Sequence, residues 1–498
     1  MLRRFLKFRH SFQAKKTHFL LENSLGIIIR AMFARRFDLL VVAVLGCLVV
    51  ILGIGIFWLF VKNQELAARS GQAPVVFYSL DSNSSFLDAS DVKNSEAEAV
   101  AEARQNLIQG EKDFIDVNLS AMQITLYDTG KPIDTLPLKA KGREGSFWET
   151  STGIYAVGNK TANHFSSISK VWMPYGIQFY GNFFLHGWPY YEDGTPLPAG
   201  NSGGCIRMAT EDAKIVYQFA RPDMPILVFE NAKRRAAYPA LVTGTASSTP
   251  IPELSANVVL VADLDTSEMV VGKNVDTPFA LGEVTHLMTA LVASEVVNLE
   301  KSITLHAYMR DDRDEVPFTV GARYRGFDLL YPLLMRSSKT AASALGGFLG
   351  SDAFTGQMNK KAKALGMQNT VFIDVTGNSP RNVSTLKDLA KLVQYVVEKR
   401  PFLFGVSLGA NYPREGSTGI FANLENGNGF AQDPALFGAV RGNSDEETST
   451  ELSVWRFEKG NFTRTILIAL EESQNSTEDT RELLEWLEEN FSLEPLPA

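Results

Sequence analysis

Cysteine is almost absent from this chain of 498 residues. There are two: Cys47, inside a long apolar run, and Cys205, in the stretch SGGCIRM at 202–208. Outside that run, Cys205 has no partner for an intramolecular disulfide. Histidine is scarce as well, and only His164, His186, His286 and His306 follow the apolar run. No internal repeat is visible. Basic charge is concentrated at one end: residues 1–37 hold nine Lys/Arg against Glu22, which leaves −16 for residues 38–498 of a chain with net charge −8. A basic head on an acidic body argues against a nucleic-acid-binding protein, whose positive charge would spread over its folded domains. With 45% apolar and 21% charged residues, the composition is that of a folded protein. The length suggests two to four domains.

Residues 39–61, LLVVAVLGCLVVILGIGIFWLFV, carry no charge. At about 1.5 Å per residue such a helix spans a hydrocarbon core of about 30 Å. A signal-peptide core would be about 7–15 residues, so an uncleaved anchor at 38–62 is expected. By the positive-inside rule residues 1–37 are then cytoplasmic and the rest faces outward, as in a single-pass protein of the cell membrane. Outside the cytoplasm thiols tend to oxidise or pair. A free cysteine can be a small buried hydrophobe. The glycines around Cys205 favour a reactive thiol or an intermolecular disulfide instead.

Residues 63–112 read as a linker with a short Ala/Glu-rich helix at 95–109. Residues 113–230 read as a β-rich domain, with strand alternation in FIDVNLSAMQITLYDTG and an amphipathic helix at 210–220. Residues 231–256 are small, polar and proline-containing, and read as a second linker. Residues 257–492 mix strand patterns with helices expected at 281–297, 327–349, 354–366, 384–398 and 477–491, an α+β domain.

His186 lies 19 positions before Cys205, in FFLHGWPYYEDGTPLPAGNSGGCIRM. A nucleophilic thiol needs a base to take its proton. Gly203 and Gly204 clear the space beside the sulfur for an acyl substrate, and backbone N–H groups there can stabilise an oxyanion. Arg207 is a fork-shaped donor for a substrate carboxylate. The pattern resembles the L,D-transpeptidase catalytic domain, whose signature is HG, a spacer, then S-H-G-C-[IV]-R-M. Here it reads His186–Gly187, then Ser202, Gly203, Gly204, Cys205, Ile206, Arg207, Met208, with WETSTGIYAV ahead of it. The resemblance implies Cys205 as acyl-forming nucleophile, His186 as its base, and Arg207 as an anchor within a substrate site of Gly187, Ser202, Gly203 and Gly204. One departure is Gly203, where the family has a histidine expected mainly to lend its backbone carbonyl to the catalytic imidazole. His164 is a candidate for the cleft rim or a structural histidine.

Residues 257–492 resemble the D-alanyl-D-alanine carboxypeptidase family, through VVLVADLDTSEMVVGKNVDTPFALGEVTHLMTALVA and residues 358–396. That family needs S-x-x-K, S-x-N and K-T-G. The aligned positions read Glu283-Val284-Thr285-His286, Ser337-Ser338-Lys339 and Val440-Arg441-Gly442. Acylation needs a hydroxyl beside a base, and Thr285, two residues past the serine position, is turned about 200° round the helix from it. The domain is therefore expected to be a degenerate relative. Glu283 and His286 share a helix face and can be pictured on a metal, but no third ligand is visible.

The expected architecture is multidomain: one transmembrane helix, a β-rich L,D-transpeptidase domain, and an α+β domain like β-lactamases and penicillin-binding proteins. The resemblance implies cross-linking of peptidoglycan stem peptides through a Cys205 thioester with release of D-Ala. The alternatives are an L,D-carboxypeptidase using water and a non-catalytic wall-binding scaffold. No cofactor or metal is implied. The partners are stem peptides and the membrane, not nucleic acid.

Overall fold

The computed structural model describes residues 78–79, 96–230, 240–243, 250–410, 419–443, 448–460 and 462–494. All of them belong to one compact unit, 75–498, the remaining unit being 1–74. The expected segments 1–37 and 38–62 lie outside the described residues. Among the described residues no helix is long and apolar enough to cross a membrane. The longest of them, Ser476–Asn490, has 15 residues, about 22 Å against the roughly 30 Å of a hydrocarbon core, and it carries six carboxylates. The fold class is corrected accordingly: the described residues form a β-rich half and an α+β half, with no transmembrane helix among them.

The first half opens with α1 (Glu96–Gln109), whose Val100 packs on Phe114 and Leu227. Five strands form one sheet: β1 (Phe114–Asn118), β2 (Gln123–Asp128), β3 (Lys131–Pro137), β4 (Gly153–Ala156) and, from the end of this half, Pro225–Phe229, in the order β3-β2-β1-(225–229)-β4. The inner strands 114–118 and 225–229 run parallel and are largely buried; 225–229 is apolar throughout, while 114–118 carries a buried Asp116 paired with Arg104 at 2.9 Å. The β2–β3 hairpin turns through Thr129 and Gly130, both at positive φ (49° and 74°), the backbone twist that suits a two-residue hairpin.

A second sheet holds β5 (Lys160–Ser166), β6 (Val171–Tyr180), β7 (Phe183–His186) and β8 (Ile206–Arg207) in sequential order. β8 lies parallel to β7, with Leu185 opposite Ile206 and His186 opposite Arg207. The long 187–205 connection makes that parallel return possible. Helix α2 (Thr210–Phe219) follows, with Glu211 and Asp212 in its first turn, where the helix dipole favours them.

The second half is built on a six-stranded sheet. Strands 258–263, 268–273, 436–443, 449–459 and 462–473 form most of it, with Tyr78–Ser79 at one edge. Residues 240–243, in the stretch expected to be a linker, pair antiparallel with 491–494. Helix α3 (Thr285–Val296) is buried along its whole length. The single helix expected at 327–349 is two, 330–335 and 339–347. Ser337 at φ 50° breaks it, and Ser338 caps the second piece by accepting the Ala341 N–H on its Oγ.

The two halves share one apolar core, which runs from Ile115, Ile177 and Ile226 to Leu287, Leu291 and Ala364. A buried ionic cluster is set into that contact. Glu295 of α3 pairs with Lys361 (2.9 Å) and Arg400 (3.0 Å), all three side chains wholly buried. Lys361 also donates to Ser151 Oγ at 2.7 Å, and Tyr395 donates to Glu295 at 2.9 Å. Lys399 bridges Glu149 (2.9 Å) and Glu230 (2.6 Å) of the first half.

Candidate active site

Side chains alternate across a strand, so the β7–β8 register puts Phe184 and His186 on one face with Arg207. Cys205 packs on that face against the cluster of Phe184, Met173 and Val171, as does Leu197. Leu185, Ile206 and Met208 point the other way into the main core. His186 closes β7 and Cys205 immediately precedes β8, its parallel neighbour.

The imidazole is held closely. His186 is 1% exposed, and its Nδ1 lies 2.6 Å from the Gly187 carbonyl oxygen. A carbonyl only accepts, so Nδ1 carries the hydrogen and Nε2 keeps the basic lone pair. The Gly187 N–H in turn donates to Pro174 O, and Met208 N–H to His186 O. The carbonyl that orients the ring thus comes from Gly187, not from position 203 as expected. A Cβ at Gly203 would meet nothing within 4 Å, so the missing side chain there leaves open space.

Ser202 braces the nucleophile turn. Its Oγ donates to the Cys205 carbonyl and accepts the Gly204 N–H at 3.1 Å. That commits the Gly204 N–H, which in this arrangement is not an oxyanion donor. Gly204 has φ +101°, and a Cβ on it would fall 2.4 Å from Phe183 Cε1, so only glycine fits. Cys205 is partly exposed, and its thiol reaches the Asn182 carbonyl at 3.6 Å. Arg207 is 8% exposed. Its Nη1 makes long contacts to the Gly200 and Asn201 carbonyls (3.4 and 3.5 Å), and its Nε is buried without a partner.

Burial sets the protonation states. It pushes the Cys205 thiol up to about 11, against the pull of the Phe184 N–H and Arg207. It pushes His186 down to about 4, with the Gly187 carbonyl opposing and Arg207 and His164 adding to it. The pair therefore rests neutral, not as the preformed thiolate that a low thiol pKa would give. His164 is half-buried and stacked on Phe184, ring centroids 4.5 Å apart. Of the aromatics of 171–193, Phe179, Tyr180, Phe183 and Phe184 are core, while Trp172, Tyr175, Trp188, Tyr190 and Tyr191 are partly or well exposed.

In the second half, the three altered motif positions converge. Glu283, Ser337, Lys339, Arg441 and Gly442 line one cavity of about 490 Å³. Glu283, where the family has its serine, pairs with Lys339 at 2.9 Å. Ser337 Oγ donates to the Arg441 carbonyl at 2.7 Å. His286, in the lysine position, is fully buried, with Nε2 3.0 Å from the Thr376 carbonyl and Nδ1 unpartnered. Glu283 and His286 thus have separate partners.

The two parts of the chain that hold these sites match the models of two families. The L,D-transpeptidase catalytic domain model matches residues 112–228, and the D-alanyl-D-alanine carboxypeptidase model matches residues 243–408. The chain carries a domain of each, the second with its serine and lysine positions replaced. A D-alanyl-D-alanine endopeptidase of Escherichia coli (strain K12) is 33% identical over 167 residues, 31% of this chain and 52% of that protein. Another, of Pseudomonas aeruginosa, is 36% identical over 150 residues, 28% of this chain and 47% of that protein. The chain spans about half the length of these curated relatives. Among solved structures, a D-alanyl-D-alanine carboxypeptidase from Mycobacterium tuberculosis H37Rv is similar at 22% identity and a TM-score of 0.42, over 50% of this chain and 94% of that one.

Sequence reasoning missed Asn182, whose carbonyl accepts the thiol, Phe183, which packs on Gly204, and the orienting carbonyl of Gly187. A backbone carbonyl has no residue-type signature, so no sequence signal marks the first and the last.

Proposed function

We propose that the first half is a cysteine acyltransferase acting on peptidoglycan stem peptides, an L,D-transpeptidase, outside the cytoplasm where that polymer lies. The observation that carries this reading is the Nδ1–H tautomer of His186, which turns its Nε2 lone pair to use on the strand next to Cys205.

The neutral resting pair makes proton transfer part of the attack. His186 Nε2 takes the Cys205 proton as the sulfur bonds to the carbonyl carbon of the third stem residue. The imidazolium then gives that proton to the amine of the departing D-Ala, and a thioester remains on Cys205. An acceptor amine attacks the thioester, and a proton returns to the thiolate through His186. The products are a new amide and the free thiol. Arg207, with its buried unpartnered Nε, holds a stem carboxylate. The open space at Gly203 admits the acyl group. Ser202 keeps the nucleophile turn in shape. The carboxypeptidase-like half supplies no acylating serine in this reading.

The test is mass spectrometry of the full chain incubated with a tetrapeptide-stem muropeptide, beside Cys205→Ala. An acyl adduct on Cys205, free D-Ala and cross-linked dimers, all lost in the variant, support the reading. D-Ala without dimers assigns water as acceptor. A folded protein that gives neither adduct nor product overturns catalysis and leaves a wall-binding scaffold.

A further inference from the structure

The carbonyl that receives the Cys205 thiol belongs to a turn gripped by the other half of the molecule. Gly181 and Asn182 form the two-residue turn between β6 and β7, with Tyr180 paired to Phe183 across it. Asn182 Nδ2 donates to the Val296 carbonyl at 2.8 Å. Val296 is the last residue of α3, and the last carbonyls of a helix have no donor within it. The Asn182 amide is thus a cap supplied across the contact between the halves. Gly181, at φ +46°, comes so close that a Cβ there would lie 2.4 Å from Val296 Cγ1. On the other side of the turn, the Phe183 ring presses on Gly204. An unbroken line of contacts therefore joins Val296 to Cys205. The same helix begins, about 18 Å away, beside Glu283, which lines the carboxypeptidase-type cavity.

We propose that the carboxypeptidase-like half is a working part of the thiol site: α3 seats the Gly181–Asn182 turn, and Asn182 is a positioning residue that sets the orientation and reactivity of Cys205. Short surface turns are otherwise the mobile parts of a fold. An S–H···O=C contact stabilises the neutral thiol and aims the sulfur. Releasing the turn frees the thiol to ionise earlier while spoiling its approach to the substrate carbonyl. The charged and titratable groups around the thiol are Arg207 and His186 beside it, His164 across the sheet, and Glu295 next to Val296. None is altered by the substitutions below.

The catalytic arm of this inference rests on the proposed transferase activity; the thiol arm does not. The experiment uses the full chain with Asn182→Ala, Gly181→Ala, and Gly181→Ala combined with Val296→Ala. Iodoacetamide alkylation of Cys205 is followed by peptide mass spectrometry from about pH 6 to about pH 10, which brackets ordinary thiol titration. The kcat and KM for D-Ala release are measured beside it. Loss of one hydrogen bond predicts, for Asn182→Ala, alkylation about threefold faster at a given pH, a profile moved to lower pH, and a lower kcat at unchanged KM. Gly181→Ala should do the same by pushing the turn off the helix, and Val296→Ala should restore it by removing the clashing methyls. Wild-type alkylation profiles in both single variants overturn the proposal, as does an altered Gly181→Ala that Val296→Ala leaves unimproved. If the wild type releases no D-Ala yet the alkylation shifts appear, the transferase reading falls and the positioning role stands.

Discussion

His186 points its Nδ1 at the carbonyl of the very next residue, Gly187, 2.6 Å away. The orienting group is thus local backbone, held by the Gly187 N–H bond to Pro174. This explains how the site dispenses with a side chain at 203. Gly203→His should therefore leave D-Ala release within about twofold of wild type and stability within about 0.5 kcal/mol, since its Cβ enters open space. Gly204→Ala is the contrast. It meets Phe183 and a φ of +101°, and should cost about 2 kcal/mol or more and abolish acylation. Thermal melts and product assays on the two variants decide it. A dead Gly203→His would return the orienting role to that position.

The neutral pair has a pH signature. With Cys205 pushed up to about 11, alkylation by a neutral reagent should be slow at pH 7 and still rising at pH 9 and above. With His186 pushed down to about 4, the base stays deprotonated through mild acid, so the acidic limb of D-Ala release should lie near pH 4. A limb near the ordinary imidazole value would mean a solvated base. Activity followed down to about pH 3 and alkylation followed up to about pH 11 read the two ends.

How far the sequence goes is visible residue by residue. The HG and GCIRM segments are local patterns, and parallel pairing of the strands that carry them is enough to bring His186 and Cys205 to one face. The orienting carbonyl of Gly187 follows from the bend of the backbone at 174 and 187, which no residue type announces. Asn182 acquires its role from Val296, 114 positions away. Glu295, Lys361 and Arg400 look like surface charges on helices, yet tertiary packing buries all three together. The charge-free run at 39–61 led to an anchored fold class that the described residues do not carry.

Those three residues give a sharp stability prediction. Glu295 is the shared anion for two buried cations. Breaking a buried ionic group by removing one partner costs about 3–5 kcal/mol, because the remaining charge stays desolvated. Glu295→Gln should lower the melting temperature strongly. Because the cluster and the core span both halves, the wild type should melt residues 96–494 in one calorimetric transition. Two well-separated transitions would mean that the halves are independent domains.

The second half predicts an acid sensitivity of its own. Burial holds His286 down to about 4, chiefly against Glu283 and the Thr376 carbonyl. The unfolded chain protonates this imidazole near its ordinary value of about 6.5. Between those values the unfolded state binds more protons, so this residue makes stability rise with pH across the window, by at most about 1.4 kcal/mol per pH unit. Above about pH 6.5 its contribution is constant. Asp263 acts in the opposite direction: burial raises it to about 6, so its contribution to stability falls as pH rises toward that value. A wild-type melt alone would mix the two. The difference between wild type and His286→Leu removes Asp263 from the comparison. Urea unfolding of both proteins should show a stability gap that moves in favour of wild type as pH goes from about 4 to about 6.5, then stays level. A gap independent of pH would mean that His286 titrates normally, and that the cavity of Glu283 and Lys339 opens to water around it.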